Sequence, residues 1–139
     1  MPESYQDESG SGSFESELRL SGGLLLYRLE GEANDVCPLP HALGCAVVRD
    51  VAEFQPQHVA FDMTAVTDFH GSPIGFLSLA YRAVCERGGK IFIILGPDHA
   101  PGVRRVLTLC RVIGGTTSSG FVDCLDSVEA VEQAILRNA

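Results

Sequence analysis

Three side chains that could act together in catalysis lie within five residues in the stretch VTDFHGSPIGFL, residues 66–77. Asp68, His70 and Ser72 are the residue types of a Ser-His-Asp triad. Along an extended chain, residues two apart are roughly 6.6 Å from each other, too far for the hydrogen bonds of a triad. A nucleophile elbow needs glycine two positions before and after the serine, where this chain has His70 and Ile74. We therefore predict no catalytic residues and no enzymatic activity.

Motifs for phosphate and metal binding are also missing. A P-loop has the pattern GxxxxGK[ST], and no lysine follows Gly75 in the pair Gly71–Gly75. The other histidines, His41, His58 and His99, do not have the spacing of metal ligands. The sequence thus predicts no cofactor and no metal site.

The dipeptide Ser72–Pro73 is typical of a helix start. A serine hydroxyl at the N-cap accepts a hydrogen bond from an early helical N–H, and proline at the first helical position loses no hydrogen bond. The simplest interpretation of Ser72 is therefore a structural cap. Apolar residues recur at helical spacing after it, at Ile74, Leu77, Ala80, Tyr81 and Val84.

The charge balance disfavours nucleic acids as partners. The chain has 139 residues, a size typical of one domain, and a formal net charge of −8. Its basic residues form no cluster larger than the pair Arg104–Arg105. Such a chain is repelled by phosphate backbones and by anionic lipid surfaces.

No segment resembles a membrane anchor or a secretion signal. The longest apolar runs are much shorter than the roughly 20 residues of a membrane span, so we predict no membrane insertion. The N-terminus is acidic and rich in Gly and Ser, unlike a signal peptide, and we expect a cytoplasmic protein. The five cysteines form no CxxC pair, and we expect most of them to be buried thiols.

Strand and helix patterns alternate along the chain. We predict a flexible acidic tail over residues 1–13 and one α/β domain over residues 14–139. An N-terminal hairpin (FESELRL and LLLYRLEG) is followed by helical and strand patterns in turn, giving the order β-β-α-β-α-β-α-β-α. This order predicts a mixed, mainly parallel β-sheet with about four helices. The predicted helices begin near Pro40, at Pro73, at Val103 and after Asp126 or Ser127.

Local patterns also predict details of these elements. The segment HVAFDM is predicted as a short strand, and KIFIIL as a strand buried on both faces. The pair Gly88–Gly89 is predicted to end the helix that begins at Pro73. On the helix near Pro40, the charged residues Arg49, Asp50 and Glu53 are predicted on the polar side.

Several sequence segments resemble those of one family in their order and spacing. The segment HVAFDMTAVTDFHGSPIGFLSLAYRAVCERGGKIFIIL resembles the STAS domains, typified by bacterial anti-sigma factor antagonists. In that family a strand reading roughly vvlDlsgVtfiDSsGlgaLl leads into a helix and then rGgklvlv. The resemblance covers residues 14–137, and it implies a single STAS-like domain that binds proteins rather than catalysing a reaction.

The chain departs from the family pattern at the functional position. When Gly75 and Leu77 are aligned with the family pattern, the family's Asp-Ser-Ser aligns with His70-Gly71-Ser72. In regulated members of the family, a partner kinase phosphorylates the serine that aligns with Gly71. If Asp68 is aligned to the family's Asp instead, the acceptor position falls on Phe69. Neither alignment supplies the usual hydroxyl. Ser72 is a possible substitute phospho-acceptor, although its predicted capping role and the following proline argue against it.

The leading hypothesis is a regulator that binds an anti-sigma factor or a serine-kinase-like protein. The resemblance places the contact at the loop and helix start, residues 68–78, and one turn beyond. Two alternatives stay open, a structural subunit of a stress-signalling or transporter assembly and a small-ligand sensor. The sequence does not define the oligomeric state. The predicted contact residues are Asp68, Phe69, His70, Gly71, Ser72, Ser78 and Arg82.

Overall fold

The structure is a computed structural model that describes residues 3–6, 12–33, 39–69, 74–86, 88–95 and 123–137. The strands are β1 (Glu3–Gln6), β2 (Gly12–Arg19), β3 (Leu24–Ala33), β4 (His58–Phe69), β5 (Ile91–Ile94) and β6 (Asp123–Leu125). The helices are α1 (Leu39–Phe54), α2 (Ile74–Cys85) and α3 (Val128–Arg137), and a 3₁₀ turn spans Leu20–Gly22. The predicted helix at Val103 lies outside the described residues.

The six strands form one sheet in chain order, β1 to β6. The pairs β1–β2 and β2–β3 are antiparallel, and the pairs β3–β4, β4–β5 and β5–β6 are parallel. This confirms the predicted α/β domain with an N-terminal hairpin and a mixed, mainly parallel sheet. The parallel half requires crossover connections, and α1 and α2 provide two of them.

Helices α1 and α2 cover the same face of the sheet. The strand order continues in one direction, so two right-handed crossovers place both helices on one side. Leu43 and Val47 of α1 and Val84 of α2 pack there on buried residues of the strands, including Phe61 at the centre of β4. Because both helices return from the carboxyl ends of the strands to the amino ends, they run in the same direction.

The last helix, α3, covers part of the opposite face. Its Val131 is buried against five apolar residues of β3, β4 and β5. The Ser127 hydroxyl caps α3 by accepting a hydrogen bond from the Ala130 N–H at 3.1 Å, one of the two caps predicted from sequence. Arg19 on β2 also holds the helix, since its guanidinium binds Glu132 at 3.0 Å. The covered strand residues are Leu24, Leu26, Ala60, Phe92 and Ile94.

The apolar residues Ile91–Ile94 of the segment KIFIIL form a strand that is buried on both faces. All four residues of β5 are buried, as the sequence predicted. Ile91 and Ile93 belong to the core beneath α1 and α2, and Phe92 and Ile94 to the core beneath α3. The alternating geometry of a strand explains this division.

Two boundaries differ from the prediction. Within the predicted flexible tail, Glu3–Gln6 form β1, and β2 begins at Gly12. Strand β1 is defined by its backbone hydrogen bonds to β2. Backbone pairing of this kind does not require apolar side chains, so the polar composition of the segment gives no sign of the strand. Strand β4 was expected over HVAFDM alone, yet it continues to Phe69. A register shift against β3 accompanies this, and Asp62 accepts hydrogen bonds from both the backbone N–H and the hydroxyl of Thr64.

Side-chain burial also differs from the prediction at three positions. Asp50, expected on the polar side of α1, is only 2% exposed, and its carboxylate accepts a 2.8 Å hydrogen bond from the Tyr27 hydroxyl. Helical periodicity itself places Asp50 three residues after the buried Val47. Conversely, Cys45 and Cys85 are exposed rather than buried.

A tight backbone contact follows α2. The Gly89 N–H donates to the Val84 carbonyl at 2.9 Å, and Gly88 has a φ of +76°, so the two glycines end the helix as predicted. A Cβ at position 89 would lie 1.8 Å from the backbone oxygen of Gln57, just before β4 begins. The amino-terminal edge of the sheet therefore has no room for a side chain there.

We expect Gly89→Ala to lower the free energy of unfolding by about 3 kcal/mol, because the clash is with backbone that cannot rotate away. Urea denaturation followed by circular dichroism measures this change. Gly23→Ala is the matched control, since its Cβ would meet only the Leu20 oxygen at 3.3 Å and its φ is −78°. That control should change stability by less than about 1 kcal/mol. Equal effects of the two substitutions would contradict the prediction.

A second prediction concerns His58, whose Nδ1 accepts a hydrogen bond from the Lys90 backbone N–H at 3.0 Å. Burial and, to a lesser degree, the charge of Lys90 lower the pKa of His58. As pH falls below the usual value of about 6.5, the unfolded chain therefore takes up its proton before the folded chain does, and stability decreases. His58→Asn keeps an acceptor oxygen but does not titrate, so its urea midpoint should depend less on pH between about pH 7.5 and 5. An unchanged pH dependence would contradict this role.

Candidate functional site

The predicted contact surface lies at the carboxyl ends of the central parallel strands. Strand β4 ends at Phe69 and α2 begins at Ile74, so the strand-to-helix junction falls where the sequence predicts it. Next to it, β3 ends at Ala33 and α1 begins at Leu39. Ala33 pairs in register with Phe69, so the two connections leave the sheet side by side. Loops at such edges are common places for binding residues.

The structure describes the predicted contact residues to different extents. His70, Gly71 and Ser72 lie outside the described residues. Phe69 is the last residue of β4, and Ser78 lies in the second turn of α2. The side chains of Asp68 and Arg82 are described: Asp68 is partly exposed and Arg82 is exposed.

Acidic residues line the strand edge beside the junction. Asp68 pairs in register with Glu32 of β3, and the Glu32 side chain is exposed. Sequence reasoning missed Glu32, because only the strand pairing brings a residue so distant in the chain next to Asp68. The edge therefore has two neighbouring carboxylates, which favour contact with a positively charged group.

Helix α2 adds an exposed basic residue, Arg82, one turn before the exposed Glu86. Arg82 lies four residues after Ser78, so the two residues share one side of the helix. At 1.5 Å per residue, Arg82 is about 12 Å along the helix axis from Ile74. Exposed charges of both signs therefore lie near the junction, the carboxylates of Asp68 and Glu32 and the guanidinium of Arg82, an arrangement suited to recognising a protein surface of mixed charge.

The last turn of α2 contains an exposed thiol. The pKa of Tyr81 is raised, first by its hydrogen bond with Cys85 and then by the charge that Cys85 can carry. This interaction favours the protonated form of the tyrosine. The contact lies one turn beyond Ser78, at the far end of the helix from the junction, and we assign it no role in the predicted contact surface.

An open cavity lies on the face of the sheet opposite α1 and α2. Its volume is about 520 Å³, and its lining includes Glu15, Arg28, Glu30, Asp62 and Thr64. Charged and polar side chains form most of this lining, whereas small-molecule sites are mainly apolar. Arg28 already pairs with Glu17. This polar lining does not have the apolar character expected of a small-ligand site.

Within the described ranges, no three His, Cys, Asp or Glu residues lie together as a metal site would require. In the same part of the chain, no helix is both long enough and apolar enough to cross a membrane.

Solved structures share this architecture. An anti-sigma factor antagonist from Mycobacterium paratuberculosis matches with a TM-score of 0.71 and 19% identity, over 95% of this chain and 99% of that chain. The antagonist SpoIIAA in its unphosphorylated form matches with a TM-score of 0.64 and 13% identity, over 91% and 99%. Phosphorylated SpoIIAA from Bacillus matches with a TM-score of 0.61 and 16% identity over the same shares. Neither a protein-family model nor a curated protein matches the sequence.

The matches extend over nearly the whole chain and include both the antiparallel hairpin and the parallel half of the sheet. At identities below 20%, this likeness defines the fold. The chain has the STAS fold, the fold of these anti-sigma factor antagonists.

Proposed function

We propose that the protein is a non-catalytic regulator that acts by binding another protein through the junction between β4 and α2. The observation that carries this proposal is the position of the junction. Strand β4 ends and α2 begins around the residues that align with the family's regulatory loop. Structural likeness to a mycobacterial anti-sigma factor antagonist and to SpoIIAA in two forms, over more than nine-tenths of the chain, supports the same kind of role.

The proposed contact surface consists of residues 68–78 together with Arg82. Asp68 and Glu32 supply its acidic edge, and Arg82 supplies a basic group on the adjoining helix. Charges of both signs on one surface orient a partner and reject surfaces of the wrong pattern. The proposed partner is an anti-sigma factor or a serine-kinase-like protein, and the proposed location is the cytoplasm.

Regulation by phosphate differs in this proposal from that of the family's regulated members. SpoIIAA exists in a phosphorylated and an unphosphorylated form. Phosphate adds about −1.5 to −2 charges, which is enough to repel a complementary surface. Gly71 has no hydroxyl to accept it. We propose that this protein binds its partner constitutively, without a phosphate switch at position 71.

Partner capture tests the proposed surface. We expect the wild-type chain to recover an anti-sigma factor or a serine-kinase-like protein from its native lysate. Ser78→Arg places a long cation in the second turn of α2 and should lower recovery at least tenfold, while Ser21→Arg should leave it unchanged. Ser21 is the matched control because it is exposed at the opposite edge of the sheet, beside the start of β3. Recovery of unrelated proteins, or equal recovery by both variants, would contradict the proposal.

Incubation with the cognate serine kinase and ATP tests the missing switch. Intact-mass spectrometry should show an unmodified wild-type chain, because position 71 lacks a hydroxyl and Ser72 is proposed to cap α2. Gly71→Ser restores the hydroxyl and should gain one phosphate, which shows that the kinase is active on this fold. If the wild type gains a phosphate that is absent in Ser72→Ala, then Ser72 is the acceptor and the prediction is wrong.

A further inference from the structure

Two side chains of the kinds that bind metals lie next to each other on the outer side of α1. His41 and Cys45 are four residues apart, the spacing at which two helical residues share one face. Both side chains are exposed, and the Cys45 Sγ atom lies 3.7 Å from the His41 Nε2 atom. The histidines of the chain do not have metal-ligand spacing among themselves, but on α1 a cysteine stands at the second ligand position.

The distance between the two atoms fits a shared cation. Zn²⁺ binds thiolate sulfur at about 2.3 Å and imidazole nitrogen at about 2.0–2.1 Å, usually in tetrahedral geometry. At a tetrahedral angle, two such ligand atoms are about 3.6 Å from each other. The observed separation of 3.7 Å is close to this value, so sulfur and nitrogen need little movement to bind one cation.

Binding of the cation would replace a proton. The same contact suits a hydrogen bond in which the thiol proton lies between the sulfur and the nitrogen. When a divalent cation binds, the S–H bond breaks and the proton passes to solvent. The thiolate and the neutral imidazole then each donate an electron pair to the metal. The step transfers no electron between atoms and needs no oxidant.

The two ligand types determine which cations fit. Thiolate and imidazole favour Zn²⁺ and ions of similar softness, whereas Mg²⁺ and Ca²⁺ prefer oxygen ligands. The formal net charge of −8 attracts cations in general. The basic residue one turn beyond Cys45 is Arg49, and its guanidinium pairs with the buried Asp50 at 3.2 Å.

We propose that His41 and Cys45 bind one Zn²⁺, or an ion of similar softness, on the surface of α1. In the described part of the chain no third His, Cys, Asp or Glu joins the pair, so water or a molecule from solution completes the coordination. Sites that hold a metal for folding have four protein ligands, whereas this site has two and is open. It therefore binds weakly and exchanges its metal. The inference does not depend on the proposed function.

Calorimetric titration of the purified full chain with ZnCl₂ tests the site, in a reducing agent that is not a thiol because Cys45 and Cys85 are exposed. The parent chain carries Cys37→Ser, since Cys37 lies outside the described residues and must not supply a ligand. We expect saturable binding of one Zn²⁺ per chain. His41→Ala and Cys45→Ser should each weaken it by about tenfold or more, because each removes one of two ligands.

Cys85→Ser is the matched control, because Cys85 is also an exposed cysteine on a helix but contacts Tyr81 instead of a histidine. Its titration should match that of the parent chain. No saturable binding of Zn²⁺ below about 1 mM would overturn the proposal. Binding by Cys45→Ser or His41→Ala as tight as that of the parent, or an equal loss in Cys85→Ser, would overturn the assignment to this pair.

Protection from alkylation identifies the sulfur that binds. Saturating Zn²⁺ should slow the reaction of Cys45 with iodoacetamide by about tenfold or more, since a thiolate bound to a metal is a poorer nucleophile. Cys85 in the same sample should react at an unchanged rate, and Mg²⁺ should protect neither residue. Mass spectrometry of the digested chain measures both rates. Equal protection of the two cysteines, or protection of Cys45 that persists in His41→Ala, would overturn the proposed site.

Spectroscopy with Co²⁺ in place of Zn²⁺ gives an independent readout. Ligation by thiolate should produce a sulfur-to-cobalt charge-transfer band in the near ultraviolet that is absent in Cys45→Ser and retained in Cys85→Ser. Circular dichroism shows whether each variant is folded, and substitution of exposed side chains should leave it so. A band of equal intensity in Cys45→Ser would overturn the proposal.

These outcomes are separate from those of partner capture. A chain that binds Zn²⁺ but recovers no anti-sigma factor or kinase-like protein would overturn the proposed function and leave the metal site intact. A chain that recovers such a partner but binds no Zn²⁺ would do the reverse.

Discussion

The pairing of β4 between β3 and β5 is the constraint on which the rest of the structure depends. Its parallel registers with both neighbours fix where α1 and α2 must begin, since each crossover helix starts from the carboxyl end of a strand. The amino half of β4 is buried on both faces, with Phe61 in one core and Ala60 in the other. Losing this pairing would separate the strand edge from α2, and with it the proposed contact surface.

The packing around Tyr27 ties α1 to the same strands. The Tyr27 ring stacks on Phe61 with 5.5 Å between ring centroids, and its hydroxyl donates to the buried Asp50. A buried carboxylate without such a donor would be costly, so the pair sets the position of α1 over the sheet. The position of α1 beside α2 therefore depends on a polar contact within the core.

Much of the fold could be predicted from local patterns. After Lys90, the run IFIIL is apolar throughout, as is typical of a strand covered on both faces. The junction at residue 70 follows from Ser72–Pro73 and the helical spacing after it. The extent of β4 could not be predicted, because Thr64–Phe69 are strand only through their pairing with β3. Strand β1 could not be predicted for the same reason, because its pairing with β2 uses backbone groups and does not require any particular amino-acid composition.

The candidate site was predicted only in part. Sequence patterns located Asp68 and Arg82, but Glu32 reaches the edge through strand register alone. The charge of Asp50 predicts the polar side of α1, whereas its helical position predicts the buried side on which it lies. The period was the better guide, since the Tyr27 hydroxyl makes burial of that carboxylate tolerable. Only strand pairing reveals Glu32, whereas helical period alone places Asp50 on the buried side of α1.

The position of α3 in the chain has a consequence for protein synthesis. On its side of the sheet, α3 covers Leu24, Leu26, Ala60, Phe92 and Ile94, and it is the last described element to be made. Chains emerge from the ribosome N-terminus first, so the sheet can pair while this apolar face still lacks its cover. Exposed strand surface of this kind favours aggregation. Docking of α3, a helix of ten residues, is therefore the step that removes this surface from solvent.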